Sequence, residues 1–311
     1  MSPAVLGVLG KLTDYRPRAD VQSALGGAAD LVDRLIDADL LLLEGSSQDE
    51  SDRAVTTSWA WGHDARFFHF STQASTFEDP AATAAALAEL AARVPPPSPS
   101  KEDGDHSIAL PRPEPPGTDL WRTLRARRTR RSFAGSLSLE QFSTLLAWTW
   151  GSSREMVDEV TGPYVLKTSP SGGARHPIEA YPLVLEVDGL DPGLYHYSHR
   201  RHALAPLRIG GFPELAVSLC AGQPWVASAG SLFLMTAVLE RSMWKYRSSH
   251  AYRVVLLDAG HLGQTFHLVC TALGLAPFTS AAMDGRAIER ELDVDGVREI
   301  AVYVAAAGVP I

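Results

Sequence analysis

Three segments of the chain hold residue types that could do chemistry together. Arg122, Arg125, Arg127, Arg128, Arg130 and Arg131 place six arginines within ten residues of an otherwise acidic sequence. Guanidinium forks bind phosphate bidentately and keep their charge when partly buried, so such a cluster suits a bound polyanion; a solvated basic helix face is the plain alternative. The run 167–177 (KTSPSGGARHP) sets adjacent glycines between serines and prolines. Glycine lets a backbone come close to a flat ligand and point N–H groups at its heteroatoms, although Gly-Ser turns are common. Lys245-Tyr246, with His250, Tyr252 and Arg253 just behind, offers a proton-transfer pair. An ammonium beside a phenol stabilises phenolate and lowers the phenol pKa. Most Lys-Tyr neighbours are surface residues, so the dipeptide alone decides little.

These segments need elements to position them. Residues 120–127 and 138–150 have helical patterning, and Ser138 with Gln141 forms a capping-box pattern at the start of the second. Strands are predicted over 179–187, from 193 to 197, over 231–239 and over 300–306. A short helix is predicted over 213–220 and a long apolar helix over 254–273. The expectation is an α+β domain with an antiparallel-dominated sheet and central helices, over 118–311. Eight of the 21 prolines lie between Pro95 and Pro116, which predicts an extended, solvated linker over 95–117.

Residues 1–94 then form a small domain. Val21, Leu25, Ala28, Leu31, Val32, Leu35, Ile36 and Leu40 have helical spacing and predict one amphipathic helix. The aromatic run 57–71 (TSWAWGHDARFFHFS) predicts a hairpin, and 81–93 a second helix. Together they predict a winged-helix-like α+β module. It is either a cap or a peptide-binding element that takes a leader peptide by strand addition at the wing.

Composition removes several functions. The net charge of −8 argues against a nucleic-acid or anionic-membrane partner. No apolar stretch approaches the ~20 residues of a transmembrane helix, and residues 1–11 lack a secretory pattern, so a cytoplasmic protein is expected. Two distant cysteines, Cys220 and Cys270, exclude a disulfide framework and a CxxC metal or redox motif, and no metal site is expected. GxGxxG, GxxxxGK[ST] and GxSxG are all absent.

The order of the three segments narrows the field. Arg127–Phe133 (RRTRRSF) fits R-R-S/T-x-R-x-F, which opens the FMN domain of the nitroreductase superfamily. Ser169–Tyr181 (SPSGGARHPIEAY) resembles the signature of its SagB-type dehydrogenases. So do Gly193–Tyr197 (GLYHY) and the helix Leu256–Leu275, with Gly260, His261 and Gln264 in place. The resemblance covers about 118–311 and extends to the W…FH…T residues of 57–71.

The resemblance implies a nitroreductase-like fold, an FMN cofactor and a homodimer with flavins at the subunit interface. It implies that Arg127, Arg128, Thr129 and Arg131 hold the FMN phosphate and ribityl chain. Pro170, Ser171, Gly172 and Gly173 would line the isoalloxazine, Gln264 would lie near it, and Ser280 and Ala281 would approach from the other side. Lys245 and Tyr246 fall at the place of a catalytic Lys-Tyr base. Relatives also carry a late basic residue where this chain has Gly308-Val309-Pro310-Ile311, which shifts the phosphate onto the early arginines with Lys167. Residues 279–284 (TSAAMD) lack the Gly common in that loop.

The expected reaction is oxidation of a peptide thiazoline or oxazoline to thiazole or oxazole, within the biosynthesis of a ribosomally made modified peptide. Tyr246, assisted by Lys245, takes the Cα proton while a hydride passes to the flavin. A cyclodehydratase partner is implied upstream. The alternatives are an NAD(P)H-dependent nitro or quinone reductase of the same fold, and a non-catalytic flavin-binding scaffold of a biosynthetic complex.

Overall fold

The computed structural model describes residues 7, 9–10, 12, 14–27, 29–73, 79–101 and 106–311. It divides into two compact units, Met1–Ala74 and Ser75–Ile311.

Among its described residues the first unit is helical: α1 (Arg18–Ala24), α2 (Ala29–Asp37), α3 (Ser47–Ser58) and α4 (Gly62–Ser71). Two expectations change here. The single helix over 21–40 is broken at Gly26 and Gly27, both at positive φ (80° and 85°), a conformation that ends a helix readily only at glycine. The hairpin over 57–71 is not formed: its residues end α3, turn at Gly62 (φ 72°) and build α4. Ser46 accepts the Asp49 N–H and nucleates α3. Of the aromatics that read as strand, Trp61 and Phe67 are exposed, while Trp59 packs on rings of α4. Trp59 lies 5.0 Å from the His69 ring and 6.2 Å from Phe70, centroid to centroid. The wing, and strand addition to it, is thereby withdrawn.

The second unit opens with α5 (Pro80–Arg93), capped by Asp79 and started by a proline at its first position. The boundary therefore lies before this helix, not after it. Then come β1 (Ile108–Ala109), α6 (Leu120–Ala126), α7 (Leu139–Trp150), β2 (Ser152–Asp158), β3 (Gly162–Lys167), β4 (Ile178–Val184), β5 (Gly193–Ser198) and β6 (Ala203–Ile209). They are followed by α8 (Pro213–Leu219), β7 (Ser231–Val238), α9 (Leu239–Lys245), α10 (His250–Ala272), β8 (Ala276–Ser280), α11 (Gly285–Glu291) and β9 (Glu299–Gly308). Seven strands form one sheet in the order β1-β6-β5-β4-β7-β9-β8, every neighbour antiparallel. β2 and β3 form a separate hairpin. The capping box is present: Ser138 accepts the Gln141 N–H, and the Gln141 side chain accepts the Ser138 N–H.

The interior strand β7, between β4 and β9, reads as a continuous apolar run because both its faces are covered. Phe233 and Met235 point into a core with Phe142, Trp150 and Phe266, where Trp150 and Phe266 lie 5.4 and 5.3 Å from the Phe233 ring. Leu232 and Leu234 point the other way, onto Leu219, Phe278 and Ile288. Burying each such side chain stabilises the fold by about 1.5–3 kcal/mol.

The proline-rich segment is not a solvated linker. Its described part is a strap bound to the second unit through its carbonyls. Val94 O accepts from Trp244 Nε1 (3.0 Å), Ser98 O from Arg241 Nε (3.0 Å), and Pro99 O pairs with His199 Nε2 (3.1 Å). Pro111 O accepts from Ser143 Oγ (2.5 Å), Lys101 Nζ meets Glu299 Oε2 (2.6 Å), and Ile108 and Ala109 pair with β6. Proline removes N–H donors but leaves every carbonyl free, so such a segment docks wherever side-chain donors await it.

Among the described residues no helix is long and apolar enough to cross a membrane, and no cluster of His, Cys, Asp and Glu is placed to hold a metal ion. Cys220 and Cys270 are buried free thiols.

Candidate functional site

The helix α10 is the spine of the site. Asp258 on it accepts hydrogen bonds from Ser171 Oγ (2.6 Å) and Gly172 N (3.2 Å), and Thr265 meets Ser169 Oγ at 2.5 Å. These bonds lay the glycine loop along the helix beside the exposed Gln264. Burial pushes the Asp258 carboxyl up, while Ser171 and Gly172 pull it down. Within the loop, Gly173, Ala174 and His176 all have positive φ (60°, 53° and 43°). Left-handed backbone at two non-glycine residues costs energy and persists where surrounding contacts over-determine it, commonly at functional sites.

The Lys-Tyr pair sits against this loop. A Cβ on Gly173 would collide with the Tyr246 hydroxyl and stand 3.1 Å from Lys245 Nζ. A Cβ on Gly172 would likewise collide with Val254 of α10. The sequence therefore brings Lys245, Tyr246, Gly172 and Gly173 into one place.

The electrostatics depart from expectation. Lys245 does not lower the Tyr246 phenol: burial pushes that phenol up, and Arg175 is the group pulling it down. Burial, then Arg175, pushes the Lys245 amine down, while Asp158 pulls it up. Burial thus works towards the uncharged form of both groups, lowering the amine and raising the phenol. The sequence reading missed Arg175 and Asp158. Arg175 is buried with its Nε on Gly173 O (3.3 Å), and its guanidinium lies 5.9 Å from the Trp244 ring centroid. Asp158 lies at the tip of the β2–β3 hairpin, its carboxyl held down by hydrogen bonds from Thr161 and Val160.

The arginines follow α6 as an exposed loop. Arg130 N bonds Pro277 O on β8 (2.8 Å), and the Arg131 guanidinium lies 5.6 Å from the ring centroids of both Trp225 and Phe278. Arg128 Nη1 is turned back on the carbonyls of Arg125 and Arg127. Among the described residues, no carboxylate comes within ion-pair distance of Arg127, Arg128, Arg130 or Arg131. A groove lined by Thr129, Arg130, Arg131, Ser132, Pro310 and Ile311 runs beside them. Ser280 Oγ accepts from Ala282 N (2.9 Å) and Gln223 Nε2 (3.4 Å); Ala281 is exposed. No hydrogen bond among the described residues links these two to the glycine loop.

Lys167 does not join the arginines. Its electrostatic neighbours are Glu179 and Arg241, and burial brings its amine down to about 8. Behind it lies a polar cluster that sequence could not reveal, because its members are far apart in the chain. Glu179 Oε1 meets Arg241 Nη1 at 2.5 Å, and Glu179 Oε2 meets His196 Nε2 at 2.8 Å. Burial pushes the Glu179 carboxyl up, but Arg241 and His196 outweigh it and hold it well below the usual range.

These residues fit an anionic, flat cofactor such as FMN. The arginines of the loop present cationic charge with no counter-ion among the described residues. The loop brings glycine backbone where larger residues would clash. On α10 the buried His267 has an Nδ1 without a hydrogen-bond partner among the described residues. Arg127 acts electrostatically on this ring, and burial holds the ring neutral.

The model of the Nitroreductase family matches residues 124–309. The trifolitoxin-processing protein TfxB of Rhizobium leguminosarum bv. trifolii is 34% identical over 170 residues, which cover 53% of this chain and 46% of TfxB. The match thus spans about half of that relative. MJ1384 of Methanocaldococcus jannaschii, itself named for the nitroreductases, is 30% identical over 172 residues, covering 54% of this chain and 81% of MJ1384. A nitroreductase crystal structure from Ralstonia eutropha superposes with a TM-score of 0.55 at 23% identity, covering 69% of this chain and 94% of that one; it shares the fold. With the family model matching more than half of its length, the chain belongs to the nitroreductase family, whose members depend on flavin.

Proposed function

We propose that the protein is an FMN-dependent dehydrogenase of the SagB type that oxidises thiazoline or oxazoline rings in a peptide to thiazoles or oxazoles. The observation that carries this reading is the meeting of Lys245 and Tyr246 at Gly173, on the loop the resemblance assigns to the flavin. The relative TfxB, named for processing trifolitoxin, supports a peptide as substrate.

In this reading Arg127, Arg128, Thr129 and Arg131 hold the phosphate and ribityl chain. Pro170, Ser171, Gly172, Gly173 and Gln264 line the ring system, with Ser280 and Ala281 beyond. FMN supplies a two-electron acceptor when bound. The chain's own work is acid-base. Lys245, whose amine burial and Arg175 shift towards its neutral form, takes the proton from the azoline Cα. Tyr246, kept protonated by burial, donates a hydrogen bond that orients the amine or the ring nitrogen. Roles are thus exchanged relative to the sequence expectation. Aromatisation of the five-membered ring drives the reaction. An azoline arises from a Cys, Ser or Thr residue by cyclodehydration, so a cyclodehydratase acts before this step.

The exposed apolar residues Trp121 (71%) and Leu257 (60%), on the adjoining helices α6 and α10, support a second copy of the chain as partner.

The test is anaerobic mixing of FMN-loaded protein with a synthetic thiazoline peptide. The expected result is bleaching of the flavin bands and a product lighter by two hydrogens. Rapid NAD(P)H oxidation with a quinone or nitroarene, and no azoline turnover, would replace this reading with the reductase one.

A further inference from the structure

We propose that Arg241 is a positioning residue for the Lys245–Tyr246 pair. Its single guanidinium ties the proline strap, the end of the glycine loop and strand β4 to the helix that carries the pair. The proposal rests on the reading of Lys245 and Tyr246 as reacting groups.

The helix α9 has only seven residues and no side-chain hydrogen bond at its N-cap. A helix this short is not stable on its own, so its orientation is set by tertiary anchors. Its first residue is held by Leu239 N on Arg298 O (2.9 Å), and two of its side chains reach the strap. Trp244 Nε1 donates to Val94 O at 3.0 Å, and Arg241 Nε donates to Ser98 O at 3.0 Å. Arg241 does more: its Nη1 donates to His176 O at 3.2 Å and pairs with Glu179 on β4 at 2.5 Å. The side chain is 4% exposed, so these bonds form away from water, where each is stronger.

The geometry points from these bonds to the pair. Arg241 precedes Lys245 by four residues, just over one helical turn and about 6 Å along the axis. His176 directly follows Arg175, the residue that acts electrostatically on both Lys245 and Tyr246. The same guanidinium therefore fixes the pair's helix and the loop that presents Arg175 and Gly173 to it. A lysine at 241 would keep the charge but not the planar fork that reaches three segments at once.

The test uses the full-length FMN-loaded protein and two variants. Arg241→Lys keeps the charge and loses the fork. The double variant Arg241→Met with Glu179→Gln removes both charges, so no buried carboxylate is left unpaired. Two quantities are read. One is the pH midpoint for acetylation of Lys245 by acetic anhydride, followed by peptide mass mapping. The other is kcat against KM for the azoline peptide. With flavin absorbance unchanged, the midpoint is expected to rise by about half a pH unit or more, towards an ordinary lysine. kcat is expected to fall about 10- to 100-fold with KM little changed, as for a small misplacement of reacting groups. An unchanged midpoint in both variants overturns the proposal, whatever happens to turnover. A raised midpoint in a protein whose wild type oxidises no azoline upholds the positioning role and removes the azoline reading instead.

Discussion

The Tyr246 hydroxyl occupies the space that a Cβ on residue 173 would need, and Lys245 Nζ stands 3.1 Å from the same point. The backbone of Gly173 is left-handed, with φ at 60°. Gly173→Ala therefore meets two penalties. The backbone costs about 1–2 kcal/mol, which urea unfolding will show. The added methyl must also displace Tyr246, so turnover should fall by more than the stability loss explains. Normal turnover in Gly173→Ala would show that the contact has no part in the reaction.

The arginine loop should set cofactor affinity. Arg128→Gln and Arg131→Gln each remove a charged donor worth about 1.5–3 kcal/mol to an anion, so FMN should bind about tenfold more weakly or worse. Titration by flavin fluorescence at two salt concentrations checks this, and the salt dependence should flatten in each variant. Gln223→Ala, which removes the hydrogen bonds of that side chain to Ser280, Ala282 and Cys220 around the other loop, should alter FMN affinity less.

The pH dependence of turnover should follow Lys245. A base must be neutral to accept a proton, so the rate should climb with pH, with a midpoint below the ~10.4 of free lysine because burial and Arg175 lower this amine. Asp158 opposes that shift. Asp158→Asn should thus move the climbing limb to lower pH. Lys245→Ala should abolish the limb, and Tyr246→Phe should slow turnover about 100-fold, both with flavin retained. An unmoved limb in Asp158→Asn would place the hairpin tip outside the amine's field.

Acid should destabilise the second unit through buried imidazoles. Burial, the largest influence on each, brings His176 down to about 3 and His199 and His267 down to about 4. The unfolded chain takes up protons near 6.5 while the folded one does not. Stability is therefore full above about pH 6.5 and falls as pH drops towards 4. Each ring contributes about 1.4 kcal/mol per pH unit within that window. Urea midpoints at pH 7 and pH 5 should differ less in His199→Gln than in the parent.

What the sequence revealed follows from where the information lies. The capping box at Ser138 and Gln141 and the apolar runs of β7 and α10 are local, and the structure forms them there. The run from Trp59 to Phe70 misled because aromatic residues favour strands in general, while Ser46 and Gly62 set helix boundaries locally. The Lys-Tyr dipeptide was visible, but not its electrostatics, since Arg175 and Asp158 reach it only through folding. The Glu179–Arg241 pair, 62 positions apart, has no sequence signature at all.

The strap bears on where this protein can be cut. The recognisable family region begins at residue 124, and a boundary drawn there looks generous. Yet the shortened chain would lose the acceptor of Trp244, the Ser98 carbonyl that Arg241 also holds, and the cation that meets Glu299. It would keep every residue assigned to flavin and chemistry while stripping the support beneath them. The smallest autonomous piece accordingly starts upstream of Val94, and a shorter fragment that binds flavin but turns nothing over would reflect lost scaffolding, not a missing reactive group.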